Sequence, residues 1–183
     1  MALSPVNVIG DVTSLLETLL APVTTSLVSP AGIDVDSDDG GGVNIYLYQV
    51  LESAHAKNRA WRTQPNGSQQ YPPLAVHLYF LLTPYAGDQG TAHHILGDVM
   101  RIMHDSSLID AAELPESLRL SVEQLSIVLL PMQLEDLTRI WSALQSEFRL
   151  SVAYEVRVVL LESEQIVMPS RVLSTVNLYA PTT

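Results

Sequence analysis

The sequence predicts an α+β fold, a mostly antiparallel sheet with helices packed on one side. Three observations predict it. Segments with an apolar residue at every second position alternate with stretches whose apolar residues fall three and four apart. The resulting order is helix, strand, strand, helix, strand, helix, strand, strand, in which successive strands can pair as hairpins. Of 183 residues, 47% are hydrophobic and only 16% charged, enough to bury a core without metal or disulfide staples. The same polar deficit points to surface that another chain covers.

Residues 6–20 read as a first helix, with Ile9, Val12, Leu15, Leu16 and Leu19 on one side and Pro22 as its stop. Residues 43–51 read as a strand, with Val43, Ile45, Leu47 and Leu51 facing one side. A long polar connection, 53–73, joins it to a second strand, 74–83, in which Leu74, Val76, Leu78, Phe80 and Leu82 share a face. Residues 88–105 give a second helix with a stripe of Ile95, Val99, Ile102 and Met103. A third strand is expected over 119–130, ended by Pro131. The third helix, 133–146, places Leu134, Leu137, Ile140, Trp141 and Leu144 on one side, with Glu135 and Asp136 in the first turn, where the helix dipole favours acids. Trp141 on that stripe is expected in the core. Strand 151–162 alternates Val152, Tyr154, Val156, Val158 and Leu160 against Ala153, Glu155, Arg157, Val159 and Leu161, and a final short strand is expected from Val172 to Tyr179.

Charge and residue usage exclude several functions. The chain has 9 Lys+Arg against 20 Asp+Glu, a formal charge of −11. Binding to nucleic acid or to an anionic membrane needs cationic surface, so neither is expected as a partner. All basic residues but Lys57 are arginines, the usual choice for ordered contacts. With no cysteine, disulfides, thiol nucleophiles, cysteine zinc sites and iron–sulfur clusters are excluded. No apolar run approaches the roughly 18 residues of a membrane span, so no membrane insertion is expected. The start, Met1-Ala-Leu-Ser-Pro5, lacks the pattern of a signal peptide, and synthesis and assembly in the cytoplasm are expected.

The chemical motifs are weak. Asp34-x-Asp36-x-Asp38-Asp39-Gly40 resembles a calcium loop, but Asp39 and Ile45 stand where that loop needs glycine and glutamate. A solvated loop is the better reading. His93-His94-x-x-x-Asp98 matches a short acyltransferase string, but it falls on an amphipathic helix, where His94 and Asp98 are neighbours on the surface. Adding His104 gives no aligned metal face. No nucleophile elbow, phosphate loop or dinucleotide fingerprint occurs. No cofactor, metal site or catalytic residue is expected. Arg59, Trp61, Arg62 and Tyr71, in the 53–73 connection, are instead the residue types that anchor protein interfaces, and they are the candidate site.

Several segments together carry a resemblance. Pro72-Pro-Leu-Ala-Val-His-Leu-Tyr-Phe-Leu-Leu-Thr-Pro-Tyr-Ala86 leads into the helix His93-His-Ile-Leu-Gly-Asp-Val-Met-Arg-Ile-Met-His104. Then come Leu134-Glu-Asp-Leu-Thr-Arg-Ile-Trp-Ser-Ala-Leu144 and Phe148-Arg-Leu-Ser-Val-Ala-Tyr-Glu-Val-Arg-Val-Val159. This ordered set, within residues 6–162, resembles the N-terminal domain of the cap, or tail-terminator, proteins of phage-tail-like extracellular contractile injection systems. The resemblance implies a single tail-terminator-like domain over 1–183, with its core at 6–162 and a C-terminal extension at 163–183. It implies a structural protein rather than an enzyme, a homo-oligomer in a hexameric ring that ends and stabilises the inner tube and sheath. Tube protein and sheath protein are then partners, and a second cap component is one where the ring serves as an adaptor. An exposed edge, at 172–179 or 43–51, could accept a partner strand. The alternative class is a small histidine-dependent enzyme or metal-binding domain using His93, His94 and Asp98.

Overall fold

The computed structural model describes residues 7–33, 41–54, 61–65, 67–119, 122, 124–161, 163 and 165–168. Helix α1, Val8–Leu19, opens with Asn7, whose side-chain oxygen accepts from the Gly10 amide. Strand β1, Thr25–Ser26, and a short 3₁₀ turn, Pro30–Gly32, lead to the long strand β2, Gly42–Glu52. Two short strands follow, β3 (Arg62–Thr63) and β4 (Gln69–Gln70), then β5, Leu74–Tyr85, the longest strand. Helix α2, Gln89–Asp105, is capped by Asp88, and strand β6, Leu108–Asp110, follows it. The chain continues through α3 (Glu116–Arg119), β7 (Gln124–Leu130), α4 (Leu134–Ala143), β8 (Val152–Leu161) and β9 (Ile166–Val167).

The main sheet has the order β1-β2-β5-β8-β7-β6, and all its pairs are antiparallel except β1 with β2. One face, the inner face, carries Val43, Ile45, Val76, Leu78, Phe80, Leu82, Leu125, Ile127, Tyr154 and Val156. Against it pack Val12, Leu15 and Leu16 of α1, Val99 and Met103 of α2, and Leu118 of α3, in one continuous cluster. The expected stripes of the first two helices thus meet the expected faces of the strands. Helix α4 differs. Ile140 and Arg139 lie beside Tyr48 and Tyr79 on the outer face, so the helices are not all on the side that carries α1 to α3. Leu81 and Ala153, opposite each other on that face, are buried, as is Trp141, which is 1% exposed. Its indole nitrogen donates to Ser151 Oγ at 3.1 Å.

Five expectations need correction. The strand expected at 119–130 begins only at Gln124, because Pro115 starts a helical turn in which Arg119 donates back to the carbonyls of Leu114 and Ala112. Leu118 and Val122, before that strand, still enter the core. Leu51 does not share a face with Val43, since a bulge between Leu47 and Gln49 inserts Tyr48 and sets Leu51 opposite His77 on the outer face. A second register shift, between Val76 and Leu78, sets Leu160 opposite Ala75, so neither joins the inner cluster with Val156. Leu134 is 63% exposed and not part of a buried stripe, because only Trp141 of α4 is fully buried. Strand β2 is flanked by β1 at Val43 and Asn44, so 43–51 is not a whole free edge. The strand expected at 172–179 and the acidic stretch Asp34–Gly40 lie outside the described residues.

Candidate assembly interface

The 53–73 connection supplies β3 and β4 to a second, small sheet of order β3-β4-β9. The Gln64 amide donates to the Ser68 carbonyl and the Gly67 amide to that of Gln64, with Gly67 at φ +81°, a left-handed turn that glycine adopts without cost. Strand β4 is held from the far end of the chain. Gln69 and Gln70 pair with Val167 and Ile166, Gln70 Nε2 donates to the Ser163 carbonyl at 2.8 Å, and the Tyr71 amide to that of Gln165 at 3.0 Å. This sheet presents Trp61 and Tyr71 edge to face, with ring centroids 5.1 Å apart at 78°. They are 44% and 48% exposed, and Leu74, Ile166, Val167 and Met168 beside them in the chain and the sheet are exposed too. Exposed apolar groups of this kind are common where proteins meet a partner.

Of the four sequence-derived interface residues, the structure therefore brings Trp61 and Tyr71 together. Arg59 lies outside the described residues. Arg62 is in β3 by its backbone, and its side chain is not described. Ile166, Val167 and Met168 were not among the expected residues. Their signal is the apolar triplet after Gln165, too short for a periodicity to register.

A buried polar cluster occupies the centre of the outer face. Glu155 on β8 is 6% exposed. Its Oε1 is 2.6 Å from His77 Nδ1 and accepts from Tyr79 Oη at 3.1 Å, and its Oε2 accepts from Arg157 Nε at 2.8 Å. Burial pushes the carboxyl up, but these three hydrogen bonds and the Arg157 charge outweigh it and leave it below the usual carboxylate range. The Tyr79 phenol is pushed up by burial and by its bond to Glu155, and Tyr48, stacked at a tilt on Tyr79, by burial and its neighbours' charge. The carboxylate thus accepts from three side chains of β5 and β8.

The histidine-rich helix gives no constellation. His93 and His94 are exposed on α2, and Asp98 accepts from Arg101 at 3.4 Å instead of pairing with His94. Among the described residues, no three histidines or carboxylates stand close enough to hold a metal ion. His93 instead borders an open groove of about 590 Å³ at the N-terminal end of α2, whose other wall is Phe148, Arg149 and Leu150. Asp88, in the same groove, is committed to the helix. Its carboxylate accepts from the hydroxyl and amide of Thr91, which hold it below the usual range. Among the described residues, no helix is long and apolar enough to cross a membrane.

Residues 11–175 match the Pvc16 N-terminal domain. The chain belongs to that family. No curated relative matches it. Its fold is similar to that of the sheath/tube terminator of an extracellular contractile injection system, PVC, in the extended state, with a TM-score of 0.66 at 20% identity. It is also similar to that of the tube-terminating cap of the anti-feeding prophage, with a TM-score of 0.57 at 19% identity. Both matches take in 96% of this chain, and the Pvc16 N-terminal domain fold described here spans 65% and 62% of the two terminators.

Proposed function

We propose that this chain caps a contractile injection particle, assembling as a hexameric ring that ends and stabilises the inner tube and its sheath. The observation that carries this reading is that both terminator structures follow the fold over 96% of the chain. Its surface chemistry supports it. A closed ring requires two different, complementary surfaces on each copy. The Trp61–Tyr71 pair with Ile166, Val167 and Met168 supplies one apolar surface of the kind that subunit contacts use. Arg59 and Arg62 flank it in sequence, and the four residues form the proposed interface. The particle would be built in the cytoplasm, with tube and sheath proteins as partners.

The test is electron microscopy of the purified chain with the tube and sheath proteins of its particle, alongside native mass spectrometry. Rings of about six copies on tube ends are expected. Monomers alone, in the presence of both proteins, would refute the reading. Trp61→Ala should weaken association by about 2 kcal/mol or more, as interface anchors do. Its cost to folding should stay below about 1.5 kcal/mol, the scale of one aromatic pair. Wild-type binding by this variant would remove Trp61 from the interface.

A further inference from the structure

The groove at the start of α2 contains an arginine with a buried donor that finds no acceptor among the described residues. Arg101, Arg119, Arg139 and Arg157 each donate to a carboxylate or to backbone carbonyls. Arg149 does not: its Nη1 is buried and has no hydrogen-bond partner. Glu147, two residues earlier, forms no ion pair with it among the described residues, and Asp88 across the groove is taken by Thr91. A buried guanidinium donor without an acceptor is costly and is expected to find a carboxylate when one is offered. On either side of it, Phe148 and Leu150 are exposed apolar side chains. The groove is thus shaped for a carboxylate next to an apolar side chain.

The chain itself presents that pair. At the N-terminus of α4, Leu134 is the most exposed leucine among the described residues, and Glu135 follows it. Asp136, the next acid, is held by Arg139 at 3.3 Å, whereas Glu135 has no ion-pair partner among the described residues. We infer that Leu134 and Glu135 of one copy dock in the Phe148–Arg149–Leu150 groove of the next, with Arg149 turning outward onto the Glu135 carboxylate. The two surfaces are different and sit at different places on the protomer, one against the outer face with α4 and the other at the end of α2. The contact is therefore head to tail, the kind that closes into a ring. Copies of charge −11 repel, and pairing Arg149, the arginine without a partner among the described residues, with a neighbour's free carboxylate offsets part of that repulsion.

This inference rests on the ring reading, and two experiments separate them. The chain has no cysteine, so Leu134→Cys combined with Phe148→Cys gives only designed disulfides on oxidation. The double variant should yield a ladder of covalent oligomers up to the closed ring, and each single variant should yield none. A dimer from Leu134→Cys alone would show an isologous contact and overturn the inference. Arg149→Glu and Glu135→Arg should each reduce the ring fraction in native mass spectrometry at least tenfold, and the two together should restore it to within threefold. Rings that ignore the single swaps, or no rescue by the pair, overturn this contact and leave the ring standing. A wild-type chain that stays monomeric with tube and sheath present overturns both. Arg149→Met keeps the experiment readable if the swaps disturb folding: the lone chain should melt no lower than wild type, while ring formation falls tenfold.

Discussion

Around Glu155, His77, Tyr79 and Arg157 supply a donor to every side of a carboxylate that the sheet has taken out of water. Because the folded carboxyl titrates below its unfolded range, its contribution is complete above about pH 4.5 and disappears as the pH falls through the folded value. Melting temperature should therefore drop on acidification below that range, and Glu155→Gln should flatten the drop while costing about 1.5–3 kcal/mol at neutral pH. An acid profile identical to wild type would assign the sensitivity elsewhere. Trp141 makes the opposite point, since its indole is enclosed and bonded to Ser151. Trp141→Ala should cost about 3–5 kcal/mol in urea unfolding, as large core deletions do. Both residues were partly legible in the sequence. Trp141 stood on an apolar stripe, and alternation placed Glu155 opposite Tyr154 and Val156, on the correct face. Alternation says which way a side chain points, but not that three partners from β5 and β8 close over it.

The short pairing of β1 with β2 is extended by a side chain. Asn44 is fully buried, accepts from the Val28 amide and donates to the Val28 carbonyl, both at 3.1 Å, so one amide prolongs a two-residue strand pair. The approach is close, because a Cβ at Gly42 would collide with the Thr24 carbonyl. Asn44→Ala leaves two Val28 groups unpaired and should cost about 1–3 kcal/mol. Hydrogen exchange should show the loss as faster exchange at 25–33, with β5 and β8 unchanged. Uniform acceleration across the sheet would show that the clamp is not local. The long periodic elements, α1, α2 and β5, were readable because each buries a continuous stripe. The bulge at Tyr48, the turn at Glu116–Arg119 and the short β6 were not, since each is fixed by a partner strand or a proline start over too few residues to show a period.

The whole molecule is acidic, and the proposed ring would have to form against that charge. Raising salt to about 0.15 M shortens the screening length to about 8 Å, so the ring fraction should rise from low salt to that point. A steady fall over the same range would mean that attraction between charges dominates the contact. The architecture was legible from the order of its segments, and the aromatic site only as a composition, because Trp61 and Tyr71 meet through a sheet that the far end of the chain completes. That closure has a practical corollary. A gene cut after Leu161 would keep the main sheet and its helices but lose the clasp on Gln69, Gln70 and Tyr71. If the proposed interface holds, it would make a separation-of-function allele: a protein that folds, melts cooperatively and still fails to seat.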